Sequence, residues 1–511
     1  MSLQTRAIIA VAFLVGFFAL ALGAAAGLAL LGVKLFTLLT YVRNGRLMLL
    51  IVLAALGCLG ASGVIVWSLL PRFDRFEPPG PELARPDAPE LFRLMDELAA
   101  AARQAPPAHV YLVPEVNAFV SQRGGVLGFG SRRIMGVGLP LLQLLDVTEL
   151  RAVLAHELGH FHGGDTRVGP FIYQTYAAVA RTVENLGRAA DKAAEAEVNT
   201  IHIVMAIVQK PFDWFWAGFM RVTQAVRRGQ ERTADVLAVE LVGSTPLVSG
   251  LKKVRGGSAA YHAYMSQELG PALSQGYLPP PARGFERFLT APKSDERMAK
   301  IIEDSLGADV TETYDSHPSL AERVRAAEAL ARPTRHADPR RAVELLADLA
   351  ALERRLAPFL VDGPALKPLA WEEMPEKVLI PGWRRIVADR GPQLAGYSAQ
   401  EFPREPAAIR AIFRKTMDDY ADEGVEDDDV RSWAVTTVGM CLGLGLIDHG
   451  WSVTSEVGEP IYLQRAGVSI DLFAELRAFY DGKTSREAWT ARLRELGLED
   501  LPLGRKASAV A

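Results

Sequence analysis

The chain has 511 residues, 49% of them hydrophobic and 23% charged, with a formal net charge of -4. That length points to more than one domain, and the composition supplies ample apolar core. The charge balance excludes a phosphate-driven nucleic-acid binder, and two distant cysteines, Cys58 and Cys441, exclude a disulfide framework or a cysteine-built zinc site.

Ala7 to Val33 and Leu47 to Leu70 are two nearly unbroken apolar runs. Each is long enough to cross a hydrocarbon layer of about 30 Å as a helix. A signal peptide would have a shorter apolar core and no second run behind it. Two transmembrane helices are expected in 1–70, with a lipid bilayer as partner. Lys34, Arg43 and Arg46 between the runs nearly balance Arg6, Arg72, Arg75 and Arg85 outside them, so charge does not orient the pair. Residues 71–89 are rich in proline and charge and read as a linker.

A helix is expected from Glu90 to Arg103 and a strand over His109–Val113. One or two further strands are expected between Val126 and Leu139. Gly124, Gly125, Gly128 and Gly130 suit a flexible loop, because no phosphate-binding motif accompanies them. Asp146 opens a strong helix, with Glu149 as reciprocal cap, and Gly163 and Gly164 close it. Ile172 to Gly229 reads as helical. Within it, Ile201 to Val226 is apolar but carries Lys210, Pro211 and Asp213, which favours a buried or interfacial helix over a membrane span.

Helices continue to Arg332, break at Thr334–Asp338, and resume as one amphipathic helix over Arg340–Leu356. From Pro364 the texture changes, with helices near Glu405–Tyr420 and Val430–Asp448 and a hairpin over Trp451–Ile470. Two last helices follow, the final one opened by Thr484 and Glu487. The acidic run Glu426–Asp429 fits a helix start better than a cation site, since the D-x-D-x-D-G spacing is missing. The expected fold is mainly α with a small β-sheet (α+β). Its parts are two membrane helices (1–70), linker (71–89), catalytic domain (90–332), helical connector (333–363) and a separate α+β C-terminal domain (364–511).

The chemistry concentrates at His156-Glu157-Leu158-Gly159-His160. Residues four apart share a helix face, so both imidazoles can reach one metal, and Glu157 lies beside that face as a candidate general base. A catalytic zinc needs a third protein ligand. The extended motif with a third histidine fails, because position 166 is Thr166 and Asp165 is one place off. His162 points elsewhere on the helix. Glu231 and Asp235, in Glu231-Arg232-Thr233-Ala234-Asp235, are again four apart. The first could bind metal and the second could fix a ligand imidazole, or both could sit on a solvated helix face.

HELGH, then ERTAD, then Ser316-His317-Pro318-Ser319 with Arg323, resemble the gluzincin family of HtpX-like and CAAX prenyl protease-like zinc metallopeptidases. The resemblance runs from about Pro107 to Leu330 and implies a zincin-type peptidase domain with one zinc per chain. It implies Glu231 as third ligand beside His156 and His160, and Asp235 behind a ligand histidine. Glu157 is then the general base and His317 an oxyanion stabiliser, with Pro318 in the first helical position. Arg323 fits an ion pair with Asp235 or Asp165. Asn117, in the Val116-Asn117-Ala118-Phe119 segment, precedes the edge strand that takes substrate backbone. That strand is expected at Arg133, Ile134, Met135, Gly136, Val137 and Gly138. Protein or peptide substrates, misfolded or membrane proteins among them, follow by the same resemblance. So does an inner-membrane location with a cytoplasmic catalytic domain. The alternative is a latent enzyme or a membrane-anchored scaffold on a degenerate peptidase fold. Nothing in the sequence names a partner for the C-terminal domain.

Overall fold

The computed structural model describes residues 3–70, 76–123, 132–160, 169–307, 318–361, 366–414 and 425–504. The elements run α1 (Leu3–Leu38), α2 (Gly45–Leu69), α3 (Pro89–Ala101), β1 (His109–Val113), β2 (Ala118–Arg123), β3 (Arg132–Gly138), α4 (Leu139–Leu144), α5 (Val147–Gly159), α6 (Gly169–Glu195), α7 (Asn199–Leu241) and α8 (Ser244–Tyr264). They continue with α9 (Gly270–Leu273), β4 (Tyr277–Leu278), α10 (Pro281–Thr290), α11 (Ser294–Gly307), α12 (Leu320–Ala329), α13 (Leu349–Leu356), β5 (Lys367–Pro368), α14 (Ile380–Leu394) and α15 (Pro406–Phe413). The chain ends with α16 (Asp427–Asp448), β6 (Ser452–Thr454), β7 (Tyr462–Arg465), β8 (Val468–Ile470), α17 (Leu472–Tyr480) and α18 (Arg486–Glu495). Two compact units result: Met1–Gly257 with Lys300–Leu352, and Ser258–Ala299 with Glu353–Ala511.

In the first unit, Val11–Tyr41 and Gly45–Leu69 are long and apolar enough to cross a membrane. Asn44 caps α2 by accepting from the Arg46 and Leu47 amides at 3.0 and 3.2 Å. These helices pack with α6 and α7 around Phe17, Ala61, Ile65, Val179, Leu186 and Phe212. Arg181 of α6 donates to the Ser68 carbonyl at 3.3 Å, and Asn185 to the Ser68 hydroxyl at 2.9 Å. Those bonds tie α6 to the end of α2. The segment with Lys210, Pro211 and Asp213 lies inside the unbroken helix α7. An interior proline costs about 3 kcal/mol, so packing rather than local propensity keeps α7 helical there. Met205, Phe212 and Phe219 are buried, whereas Ile203, Ile207 and Trp214 face outward.

Helix α5 starts where its cap requires. Asp146 Oδ1 accepts from the Glu149 amide at 2.8 Å, and Glu149 Oε2 from the Asp146 amide at 2.9 Å. Ser249 and Lys253 of α8 hold the buried Glu149 carboxylate at 2.6 and 2.8 Å. The helix ends at Gly159, with His160 as C-cap. The expected stop at Gly163 and Gly164 lies outside the described residues, as does the glycine-rich loop at 124–131.

The small sheet has the order β1-β3-β2, with β3 parallel to β1 and antiparallel to β2. This corrects the expected edge strand. Residues Arg133 to Gly138 form the middle strand, paired on both sides. Ile134 to Gly138 of this strand are all buried, as suits a strand with neighbours on both sides. The outer side of β1 is taken by residues 81–83: the Leu83 amide bonds the Val110 carbonyl at 2.8 Å, and the Leu112 amide bonds the Pro81 carbonyl at 3.0 Å. Among the described residues, β2 is the strand paired on one side only.

Two further corrections concern helix ends. Arg340–Leu356 is not one helix. A 3-10 turn at Ala342–Leu345 precedes α13, and the Arg340 carbonyl and Ala342 amide bond Val147 and Leu145 instead. Thr484 does not cap α18. Its amide closes the turn after α17 on the Ala478 carbonyl, and Ser485 accepts from the Ala488 amide at 3.2 Å.

The second unit packs around α16, another helix long and apolar enough to cross a membrane. Its Val430, Ala434, Val438, Leu442 and Leu446 are buried with Trp383, Leu472, Leu476 and Trp489 in one core. Recurrence every four residues on the buried side marks a core helix. The acidic run opens α16 as expected, where Arg410 and Arg477 neutralise Asp427 and Asp428 at 2.7 and 3.0 Å. The Trp451–Ile470 hairpin carries a third strand, giving the antiparallel sheet β6-β7-β8.

Candidate metal centre

Helices α5 and α7 cross closely because the residues at the crossing are small. A Cβ placed on Gly159 would lie 2.7 Å from Ala234 Cα and 3.0 Å from Ala234 Cβ. The glycine of HELGH thus sits on the alanine of ERTAD. This contact brings His156 and His160 opposite Glu231.

His156 Nε2 lies 3.4 Å from Glu231 Oε2, and His160 Nε2 lies 3.6 Å from Glu231 Oε1. The two rings meet edge to face with centroids 4.8 Å apart. One donor atom from each of the three residues lies within 4.8 Å of the others. Two ligands at about 2.0–2.1 Å from a tetrahedral ion are separated by roughly 3.4 Å. The observed nitrogen–oxygen separations therefore suit one zinc-sized ion, and two imidazoles with a carboxylate are a donor set such an ion takes.

A buried support stands behind the donors. Asp235 Oδ1 lies 2.8 Å from His156 Nδ1, which leaves Nε2 toward Glu231. Arg323 of α12 grips Asp235 with two bonds, Nη2 to Oδ1 at 2.7 Å and Nε to Oδ2 at 2.9 Å. Its Nη1 lies 3.8 Å from Glu231 Oε2. Ser319, not Pro318, starts α12, accepting from the Glu322 amide at 3.2 Å. The expected first helical position for Pro318 is corrected: Leu320 takes it, two residues on, because the serine hydroxyl can cap and proline cannot.

Burial lowers the pKa of His156, but hydrogen bonds to Asp235 and Glu231 more than reverse this and lift it to about 9. Burial raises the Asp235 carboxyl, and its bonds to His156 and Arg323 carry it below the ordinary carboxylate range. The Asp235 carboxylate thus stays charged behind His156. Glu157 is half-buried on the same helix, and its charge acts on both His156 and Arg323.

The structure thus brings together His156, His160, Glu231, Asp235 and Arg323. His162, Asp165, Thr166 and His317 lie outside the described residues. Asn117 is exposed just before β2, and its carbonyl accepts from the Gly138 amide at 2.8 Å. Arg133 reaches away, to the Ala105 carbonyl and Gln104 at 3.1 and 3.3 Å. Ile134, Met135, Gly136, Val137 and Gly138 are buried. Gly136 makes room for Phe119, whose ring would lie 2.3 Å from a Cβ there. The strand that sequence reasoning missed is β2, and its polar Ser121, Gln122 and Arg123 were the available sign of an open edge.

A family model described as Peptidase family M48 matches residues 86–331. A Protease HtpX homolog from Aquifex aeolicus (strain VF5) is 26% identical over 239 residues, 43% of this chain and 74% of the relative. Protease HtpX from Erwinia tasmaniensis is 25% identical over 279 residues, and that from Cronobacter sakazakii 26% over 281; each match covers 52% of this chain and 90% of the relative. No solved structure matches. The HELGH and ERTAD helices lie inside the matched segment, so residues 86–331 are similar to peptidase family M48, a family of metallopeptidases, and the chain is similar to HtpX proteases.

Proposed function

We propose that the protein is a membrane-anchored zinc endopeptidase. The observation that carries this reading is the convergence of His156, His160 and Glu231, with Asp235 and Arg323 locked behind them. The bound zinc would supply a Lewis acid that polarises water and the scissile carbonyl. Glu157 takes the proton of the attacking water and passes it to the leaving amine. Asp235 holds His156 in the tautomer that presents Nε2 to the site, and Arg323 keeps Asp235 ionised. His317 is proposed to donate to the oxyanion, as the family resemblance implies.

Substrate backbone adds as a strand on β2, the sheet's half-paired strand, which packs beside α5. Asn117 stands at the entrance to that strand. Helices α1 and α2 anchor the enzyme as a multi-pass protein of the inner membrane, with the catalytic residues on the cytoplasmic side. Substrates are proteins or peptides, misfolded or membrane proteins among them by analogy with HtpX proteases. The domain limits 90–332 and 364–511 remain the proposed division into peptidase and C-terminal parts.

An intact donor set with matched separations supports an enzyme over a degenerate scaffold, in which these atoms would have no reason to converge. Casein cleavage by the full-length protein in detergent tests this, beside Glu157→Gln. Zinc retained with cleavage lost in the variant is the expected result. Turnover by Glu157→Gln would remove Glu157 as the base.

A further inference from the structure

The second unit holds a cavity of about 190 Å³ that the peptidase chemistry does not use. Glu268 and Glu459 line it, with Trp371, Met374, Leu379 and Ile461 among its apolar walls, and no lining residue is basic. Two π-helical turns build it. Met265–Leu269 carries Glu268, and Pro375–Leu379 carries Leu379. Such turns interrupt regular helical bonding and are frequent at functional sites.

The carboxylate is held in place by the β6–β7 connection. The Gly458 amide donates to Glu268 Oε1 at 3.0 Å. Gly458 has φ 81°, and a Cβ there would lie 2.6 Å from Ala291 Cβ, so only glycine brings the turn this close. The next residue delivers Glu459 to the same cavity. Among the described residues, neither Glu268 nor Glu459 forms an ion pair, and Glu268 Oε2 takes no hydrogen bond. Burial raises the Glu268 carboxyl above its ordinary range, opposed by the Gly458 bond and the charge of Arg297. Arg297 itself lies over the Phe288 ring at 5.8 Å and donates to the Lys293 carbonyl.

Two carboxylates that form no ion pair among the described residues, beside Trp371, Met374 and Ile461 in a space the size of one side chain, specify a ligand. We propose that this cavity binds a primary alkylammonium group, its charge on Glu268 and Glu459 and its methylenes against Trp371, Met374 and Ile461. A lysine side chain of a protein segment and a free alkylamine share that chemistry. A negative cavity of this volume, in which Gln267 and Ser455 join the two glutamates and the apolar side chains, excludes anions by charge and most cofactors by size.

The test is ligand-observed NMR titration of the full-length protein in detergent. The probes are Nα-acetyl-lysine methylamide, butylammonium and the neutral Nα-acetyl-norleucine methylamide. Saturable binding of the two cations is expected, with the neutral probe at least tenfold weaker, because charge-assisted hydrogen bonds are the stronger kind. Tighter binding of the lysine amide than of butylammonium identifies a protein segment as the source; equal binding identifies a free amine. Glu268→Gln keeps an acceptor for Gly458 and should weaken both cations at least tenfold. Glu459→Gln, at an exposed position, gives the same readout if the first variant loses its fold. Equal binding of the neutral probe, no binding of either cation, or unchanged binding in the variants overturns the proposal.

Discussion

Replacing Gly159 by alanine tests how the metal centre is spaced. The new methyl carbon would lie 2.7 Å from Ala234 Cα, 3.0 Å from its Cβ and 3.3 Å from its carbonyl oxygen. Carbon atoms rest at about 3.5–4.0 Å, so α5 and α7 must part by on the order of 1 Å. The obstacle is backbone and cannot swing aside. A metal site tolerates ligand displacements of only about 0.2 Å, so His156 and His160 leave their separation from Glu231. Overpacking of this kind costs about 1–3 kcal/mol. If that cost falls on metal binding, zinc affinity drops by roughly 5- to 150-fold. Chelator competition on the purified full-length protein measures it, with thermal melting of the metal-free protein as the fold control. Gly218→Ala on the facing helix α7, where a Cβ meets nothing within 4 Å, is the control and should bind zinc normally. Zinc affinity within threefold of the parent in Gly159→Ala, with a native melt, refutes the spacing argument.

Other consequences are separate. Asp235→Asn removes the acceptor that orients His156 and should weaken zinc about 10- to 100-fold, read by the same competition. Arg323→Met leaves the buried Asp235 carboxylate without its two-bond partner; a loss of about 3–5 kcal/mol is expected in denaturant unfolding. Arg323→Lys should recover only part of this, since an ammonium cannot grip both oxygens in the same way. Gly136→Ala drives a methyl into the Phe119 ring and displaces β2. It should raise KM for casein while leaving zinc content near the parent value; an unchanged KM would count against β2 as the substrate strand.

Much of the site was readable because its signals are local. The Asp146–Glu149 cap and the spacing of His156 and His160 each fit within a few turns of one helix. Glu231 and Asp235 were visible as a pair, and the family resemblance gave the pair its meaning. What brings the two helices together was not readable. Gly159 and Ala234 look like ordinary small residues until they are seen in contact. The order of the sheet was misjudged for a related reason. The edge role of Arg133–Gly138 came with the family resemblance, strand order depends on pairing that no local pattern fixes, and β2, half polar, was passed over. Capping on Ser485 rather than Thr484 depends on where the preceding turn closes, which a motif alone does not fix. Helix α7 runs through Pro211 only because α1, α2 and α6 surround it.

The most direct test of the central claim is zinc content and casein cleavage of the full-length protein, purified in detergent, beside Glu231→Ala. One zinc per chain with cleavage, both lost in the variant, is the result this account requires. A parent protein that binds no zinc, or a variant that keeps both zinc and cleavage, would contradict it.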